Sequence, residues 1–245
     1  AASAHRGFEW SFEGQGAAAG WPDRATLLIA SETCLARCDL TSGARDPVIT
    51  LEADRPETRS NDGRADPMGG FWIGTMGKNA EPGLGAIYRF HRGRVECLYP
   101  NITISNSICF SYDGRIAYYG DTAMRQIMRQ ALDAEGWPDG APEVFVDLTA
   151  ERISPDGSVT DREGGLWNAQ WGAGRVARYH PDGRFDRAIA VPARHASCPA
   201  FGGADLATLF VTSALQGISH PDAAQGLTYR IDPGATGIAE PRVIL

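Results

Sequence analysis

The apolar positions of this chain fall in short runs, and a turn rich in Asp and Gly introduces each run. Five segments share the form: WPDRATLLIASET at 21–33, DPMGGFWIGTM at 66–76, SYDGRIAYYGDT at 111–122, DREGGLWNAQW at 161–171 and GGADLATLFVTSA at 202–214. With Asp23, Asp66, Asp113, Asp161 and Asp205 as markers, the steps are 43, 47, 48 and 44 residues. A second strand-like run closed by a turn follows each one, as in GAIYRFHRG and RVARYHPDG. A third, more variable run comes next, as in EVFVDL and AIAVPA. Helical periodicity is nearly absent, and 29 Gly and 15 Pro punctuate the chain.

A step of about 45 residues holds four short strands and their turns, which is one blade of a β-propeller. A β-sandwich would not repeat one turn-plus-strand signature at a fixed step. The length of 245 residues divided by that step gives between five and six blades. The pattern therefore predicts an all-β, six-bladed β-propeller, with residues 1–245 forming a single domain.

The innermost strands of a propeller line a central channel, so residues just ahead of the marked runs converge there from different blades. Three stretches qualify: RSNDG at 59–63, TISNSICF at 103–110 and SPDGSVTD at 154–161. They single out Asn61, Asn106 and Asp156. Plainer readings stand beside these. Asn61-Asp62-Gly63 and Pro155-Asp156-Gly157 are both turn chemistry. The second tripeptide recurs as Pro181-Asp182-Gly183, where no inner strand follows, so Asp182 reads as an outer turn. Asn106 could be a satisfied buried amide, and Asp121 either lines the channel or ends a strand. Asp66 and Asp161 are turn residues of the repeat. His91 and His180 sit at equivalent strand ends and read as surface positions. Most Trp and Phe residues read as core, with Trp171, at a strand end, as a candidate exception.

Composition narrows the function. The apolar fraction is 43% and the charged fraction 22%, as in soluble globular proteins. A net charge of −7 argues against nucleic acid as a partner, because phosphate contacts need basic patches. No apolar run approaches the roughly 18 residues of a membrane helix, so no membrane partner is expected. The chain begins Ala-Ala-Ser-Ala-His, with no basic segment and apolar run of a signal peptide. Of the five cysteines, Cys34 and Cys38 have the spacing of half a zinc site, but no second Cys/His pair follows. Free, reduced thiols in a cytoplasmic protein are the expectation. No Gly-x-Ser-x-Gly elbow or Cys/His nucleophile arrangement stands out.

Four stretches occur in a telling order: RSNDGRADPMGGFWIGTM, ISNSICFSYDGRIAYYGDT, SPDGSVTDREGGLWNAQWGAGRVARYHPDG and SCPAFGGADLATLFVTSA. Together they resemble the regucalcin/gluconolactonase family, also called the senescence marker protein family, of six-bladed propellers. GTMGKNAEPGLGAIYR places the likeness nearest the bacterial sugar-lactonase branch. The resemblance implies hydrolysis of a small sugar lactone with one divalent metal, Ca²⁺ first, with Zn²⁺, Mg²⁺ or Mn²⁺ as alternatives. It implies Asn106 and Asp156 as metal ligands, Asp156 as general base, and Arg59 with Asn61 as substrate contacts. It also brings His195 near the channel, and it leaves a monomer or a small homo-oligomer open. Two other functions stay open: a calcium-binding regulatory propeller without activity, and a paraoxonase-like or phosphotriesterase-like hydrolase.

The residue types suit this chemistry. Lactone hydrolysis needs a polarised carbonyl, a deprotonated water and a stabilised oxyanion. Carboxamide and carboxylate oxygens suit hard cations. A general base must reach within about 3 Å of the water proton it takes. Arg59 offers a planar fork of donors, and Asn61 can donate and accept at once.

One departure from the family pattern is visible. The family's third ligand is a Glu in an EGP-x-W-like motif, and this chain has FEGQGAAAGW at 12–21. Glu13-Gly14 matches in part, but Pro is absent and Glu13 lies 46 residues before Arg59, one blade rather than two. The chain is therefore expected to lack roughly its first forty to fifty residues relative to the family, and Glu13 is not expected to replace the missing ligand.

Overall fold

The computed structural model describes residues 14–245, so Glu13 lies outside the described residues. Their strands form five antiparallel sheets in chain order, each a meander. Blade 1 holds β1 (Ala18–Gly20), β2 (Thr26–Ala30), β3 (Cys34–Asp39) and β4 (Arg45–Thr50). Blade 2 holds β5 (Thr58–Ala65), β6 (Phe71–Gly77), β7 (Gly85–His91) and β8 (Arg94–Ile102). Blade 3 holds β9 (Ser105–Phe110), β10 (Ile116–Asp121), β11 (Gln126–Ala131) and β12 (Glu143–Asp147). Blade 4 holds β13 (Ser154–Thr160), β14 (Leu166–Trp171), β15 (Arg175–Tyr179) and β16 (Phe185–Ala190). Blade 5 has three strands, β17 (Ala196–Gly202), β18 (Thr208–Ser213) and β19 (Thr228–Ile231). The first strands β1, β5, β9, β13 and β17 touch in sequence around the channel.

The all-β propeller stands, but the expected sixth blade does not: the described residues form five. Dividing length by step assumed that every stretch builds strands. Here residues 214–227 form a loop, and the chain after β19 is a strap that forms no further sheet. The strap crosses the far end of the channel. The Arg162 and Gly237 N–H groups bond Thr236 and Leu206 carbonyls, then Val243 N–H bonds Trp21 O and Ile244 N–H bonds Gly69 O. It thereby joins blades 4 and 5 to blades 1 and 2.

Both faces of the middle strands are buried, and every residue of β6 is buried, Thr75 included. Alternate residues serve opposite neighbours. Phe71 and Ile73 pack into a cluster with Leu28 and Leu35 of blade 1, whereas Trp72 packs with Ile108 and Tyr119 of blade 3. Leu166 and Trp167 divide in the same way between blades 3 and 5.

Each marker aspartate caps its turn by accepting the N–H two residues on: Asp23 from Ala25, Asp66 from Met68, Asp113 from Arg115, Asp161 from Glu163 and Asp205 from Ala207. Two of them do more. Asp66 takes the Arg89 Nε–H at 2.7 Å, and Asp161 takes the Arg178 Nε–H at 2.7 Å, with both pairs buried. Each arginine crosses from the third strand of its blade to the turn before the second. Gly70 and Gly165 leave the room this needs, since a Cβ at either would strike the guanidinium.

Candidate functional site

All five inner strands run the same way, so their first residues meet at one end of the channel. Four of them carry the same irregularity. In β5, Ser60 faces Thr75 and Gly63 faces Ile73, so Asn61 and Asp62 share one opposing residue, Gly74. In β9, Ser107 and Ile108 face Tyr119 alone. In β13, Asp156 and Gly157 face Ala169, and in β17, Ser197 and Cys198 face Thr212. A β-bulge re-aims the side chains it carries. The four bulges bring Asn61-Asp62, Ser107, Asp156 and Ser197 into the irregular part of the inner strands. Asn61-Asp62-Gly63 is thus part of a bulged strand and not a hairpin turn.

Gly63 follows the first bulge because the strand has no room there. An added Cβ would lie 2.8 Å from both Ile73 Cδ1 and the Trp72 carbonyl oxygen. Gly63→Ala is expected to lower stability by about 1–3 kcal/mol, the usual cost of overpacking. Urea denaturation of the purified variant measures this.

A chain of hydrogen bonds joins three of the four residues expected at the site. Arg59 Nη1 donates to Asn61 Oδ1 at 2.9 Å. Asn61 Nδ2 donates to Ser105 O at 2.7 Å and more weakly to Asn106 Oδ1 at 3.3 Å. Asn106 Nδ2 donates to Thr122 Oγ1 at 2.8 Å, and that hydroxyl donates to Pro155 O at 2.7 Å, next to Asp156. Thr122 thus fixes which way the Asn106 amide points, leaving its oxygen on the Asn61 side. Blades 2, 3 and 4 are linked across the mouth.

Asp156 is half-buried, and its carboxyl holds its proton well above the ordinary carboxylate range. Burial is the main cause and the negative charge of Asp62 the second, opposed by the Gly157 N–H. Asp62 is also raised by burial, against the Ile108 N–H, Arg64 and its neighbour Gly63. Deeper still, Arg64 ties the inner strands together. It donates to Ile108 O and Ser158 O at 3.1 Å each and pairs with Glu240 of the strap.

A cation would suit this charge pattern, since two carboxyls crowd one another with Arg64 as the nearby positive group. The donors available are oxygens, from Asn106 and Asp156, which match a hard divalent ion. The described residues contain no group of three His, Cys, Asp or Glu side chains able to hold a metal. The fit is therefore by donor chemistry, with two protein ligands.

Other expectations resolve plainly. Asp121 accepts the Thr103, Ile104 and Ala123 N–H groups, so it ends a strand. Asp182 caps an exposed turn. His195 and Trp171 stack face to face, 4.2 Å between ring centroids, at the same end of the channel as Ser154. Cys34 and Cys38 are free thiols in β3. Sequence reasoning missed Asp62, Ser107, Thr122 and Asn168. A usable signal existed for Asp62 and Ser107: the polar pairs Asn61-Asp62 and Asn106-Ser107 lie at the same offset, 10 and 9 residues, ahead of Phe71 and Ile116.

Fold and site together define a β-propeller whose carboxylate-bearing channel mouth is built from bulged inner strands. The family follows from comparison with known proteins. Residues 2–215 match the SMP-30/Gluconolactonase/LRE-like region, and the chain belongs to that family. A Rhizobium meliloti protein that bears a provisional sugar lactone lactonase name is 46% identical over 226 residues, covering 89% of this chain and 76% of that one. The L-arabinolactonase of Azospirillum brasilense is 40% identical over 221 residues, covering 88% of this chain and 70% of the relative. The crystal structure of a calcium-binding protein, regucalcin, from Agrobacterium tumefaciens superposes with a TM-score of 0.90 at 43% identity. That match covers 94% of this chain and 80% of the other.

Proposed function

We propose that the channel mouth hydrolyses a sugar lactone to its aldonic acid, aided by one divalent cation, Ca²⁺ first, held by Asn106 and Asp156. One observation carries this reading. Asp156 sits in a bulge of the inner strand β13, beside the linked set Arg59, Asn61 and Asn106, whose chain of hydrogen bonds ends on the Pro155 carbonyl next to it. The names of the relatives supply the reaction class.

Asp156 takes a proton from water as the water oxygen bonds to the lactone carbonyl carbon. The tetrahedral centre then collapses, the bond to the ring oxygen breaks, and that oxygen leaves as a hydroxyl with the proton Asp156 had taken, which returns Asp156 to its carboxylate. When bound, the cation polarises the carbonyl and acidifies the water. It would also favour the ionised form of Asp156, opposing the burial that raises its pKa. Arg59 contributes fixed positive charge and free donors for substrate oxygens. Ser105 O and Arg59 hold the Asn61 amide in one orientation, so it meets a sugar hydroxyl pre-organised.

The test is proton release from L-arabinono-, D-xylono- and D-gluconolactone by chelator-treated protein, with each divalent cation restored in turn. Cation-dependent hydrolysis of at least one sugar lactone is expected. Tight Ca²⁺ binding with no turnover of any lactone would replace this reading with a calcium-binding regulatory one.

A further inference from the structure

Behind the Asp156 bulge lies a buried polar group that no part of the proposed reaction uses. Ser107 and Asn168 are both fully buried. Ser107 sits at φ 60°, in the left-handed region, although it is not a glycine. That conformation costs on the order of 1–3 kcal/mol in a non-glycine residue. Its hydroxyl donates to the backbone oxygen of Asp156 at 2.6 Å. The same oxygen accepts from Asn168 Nδ2 at 3.0 Å. Asn168 Nδ2 also lies within reach of Gly157 O at 3.3 Å, Ser158 Oγ at 3.0 Å and Ser107 Oγ at 3.2 Å. Ser158 Oγ donates to Ser107 Oγ at 3.1 Å.

The strain and the polar cost have a common purpose. Asn168 turns its amide nitrogen onto two successive bulge carbonyls and leaves its own Oδ1 buried without a partner. An unpaired buried acceptor costs about 1–3 kcal/mol. Apolar side chains at both positions would avoid these costs only if the bulge, whose carbonyls need these donors, were absent. The geometry points to Ser107 and Asn168 as positioning residues that hold the Asp156–Gly157 bulge, and through it the Asp156 carboxyl, in its reactive orientation. Ser107 comes from blade 3 and Asn168 from blade 4, so the carboxyl is set from both sides. Neither residue is accessible from the channel's solvent. The role rests on the lactonase reading above, but the placement of the bulge does not.

Ser107→Gly is the cleanest probe. Glycine accepts the left-handed backbone without strain, so the change removes the hydroxyl while easing the chain. The expected result is a melting temperature no lower than that of the parent, kcat reduced ten- to a hundredfold, and KM within twofold. In an Asp156→Asn background the same change is expected to cost nothing further, because the group it positions is gone. A crystal structure of Ser107→Gly is expected to show the Asp156 carboxyl displaced or in two orientations. An unmoved carboxyl, or an equal loss of kcat in both backgrounds, would overturn the inference. If the parent chain hydrolyses no lactone, the lactonase reading fails, and the crystal structure alone still decides the positioning role.

Discussion

Asp156→Asn is expected to reduce kcat for sugar lactone hydrolysis by about a thousandfold, within the range a general base contributes, and to leave the fold intact. The amide keeps the size of the carboxyl and its place on the bulge but cannot take a proton from water. A second effect separates this from ordinary damage. The Asp156 carboxyl is disfavoured in its ionised form by burial and by Asp62, so in cation-free protein its charge works against folding. A raised native pKa means that the native state holds the proton longer than the unfolded chain does. The favourable contribution is complete below the ordinary carboxylate value near 4 and is lost as pH rises through the raised value. Asp156→Asn carries no such penalty. Urea titrations of cation-free protein should therefore show the variant equal to the parent at low pH and more stable at neutral pH. A residue whose removal stabilises the protein and abolishes turnover is one retained for function.

Asp66→Ala is expected to destabilise the protein by about 3–5 kcal/mol, the usual cost of leaving a buried charge without its partner. Arg89 and Asp66 are both inaccessible to solvent. Arg89 Nη1 already lacks a hydrogen-bond partner, and the guanidinium lies 4.3 Å from the Trp137 ring centroid. Its remaining anchor would be the Glu135 carbonyl. The variant also loses the acceptor for the Met68 and Gly70 N–H groups. Marginal stability in domains is typically about 5–15 kcal/mol, so this single change removes a large share. Chemical denaturation checks it, and Asp66→Ala with Arg89→Met is expected to recover much of the loss. Comparable instability of Asp113→Ala would argue against the charge explanation, since Asp113 caps a turn but bonds no buried arginine.

The contrast between those two aspartates shows what the sequence could and could not convey. All five marker aspartates were legible as turn residues, because a turn is local chemistry. The buried pairs were not, since Arg89 and Arg178 lie 23 and 17 residues from their partners. Across that distance nothing in the chain marks them as more than strand residues. The blade repeat was legible, but the blade count was not, because the strap after Ile231 has turn-rich composition like the rest. Asn61, Asn106 and Asp156 were singled out by their position ahead of the marked runs, which the structure shows to be second strands, so the three residues lie within the inner strands β5, β9 and β13. Their mutual placement depends on bulges, which are set by cross-strand register and leave only a faint trace in composition. Asn168 was invisible for the same reason, and a serine beside Asn106 carries no sign of the left-handed backbone that Ser107 adopts.

The central claim is that the ring of bulges is a lactone-binding centre with Asp156 at the reacting carbon. A crystal structure of the protein with Ca²⁺ and a sugar lactam, a stable mimic of the lactone, tests it most directly. The account predicts the lactam carbonyl carbon beside the Asp156 carboxyl, with ring hydroxyls on Arg59 and Asn61. A lactam bound outside the channel mouth, or seated there with its carbonyl turned away from Asp156, would contradict it.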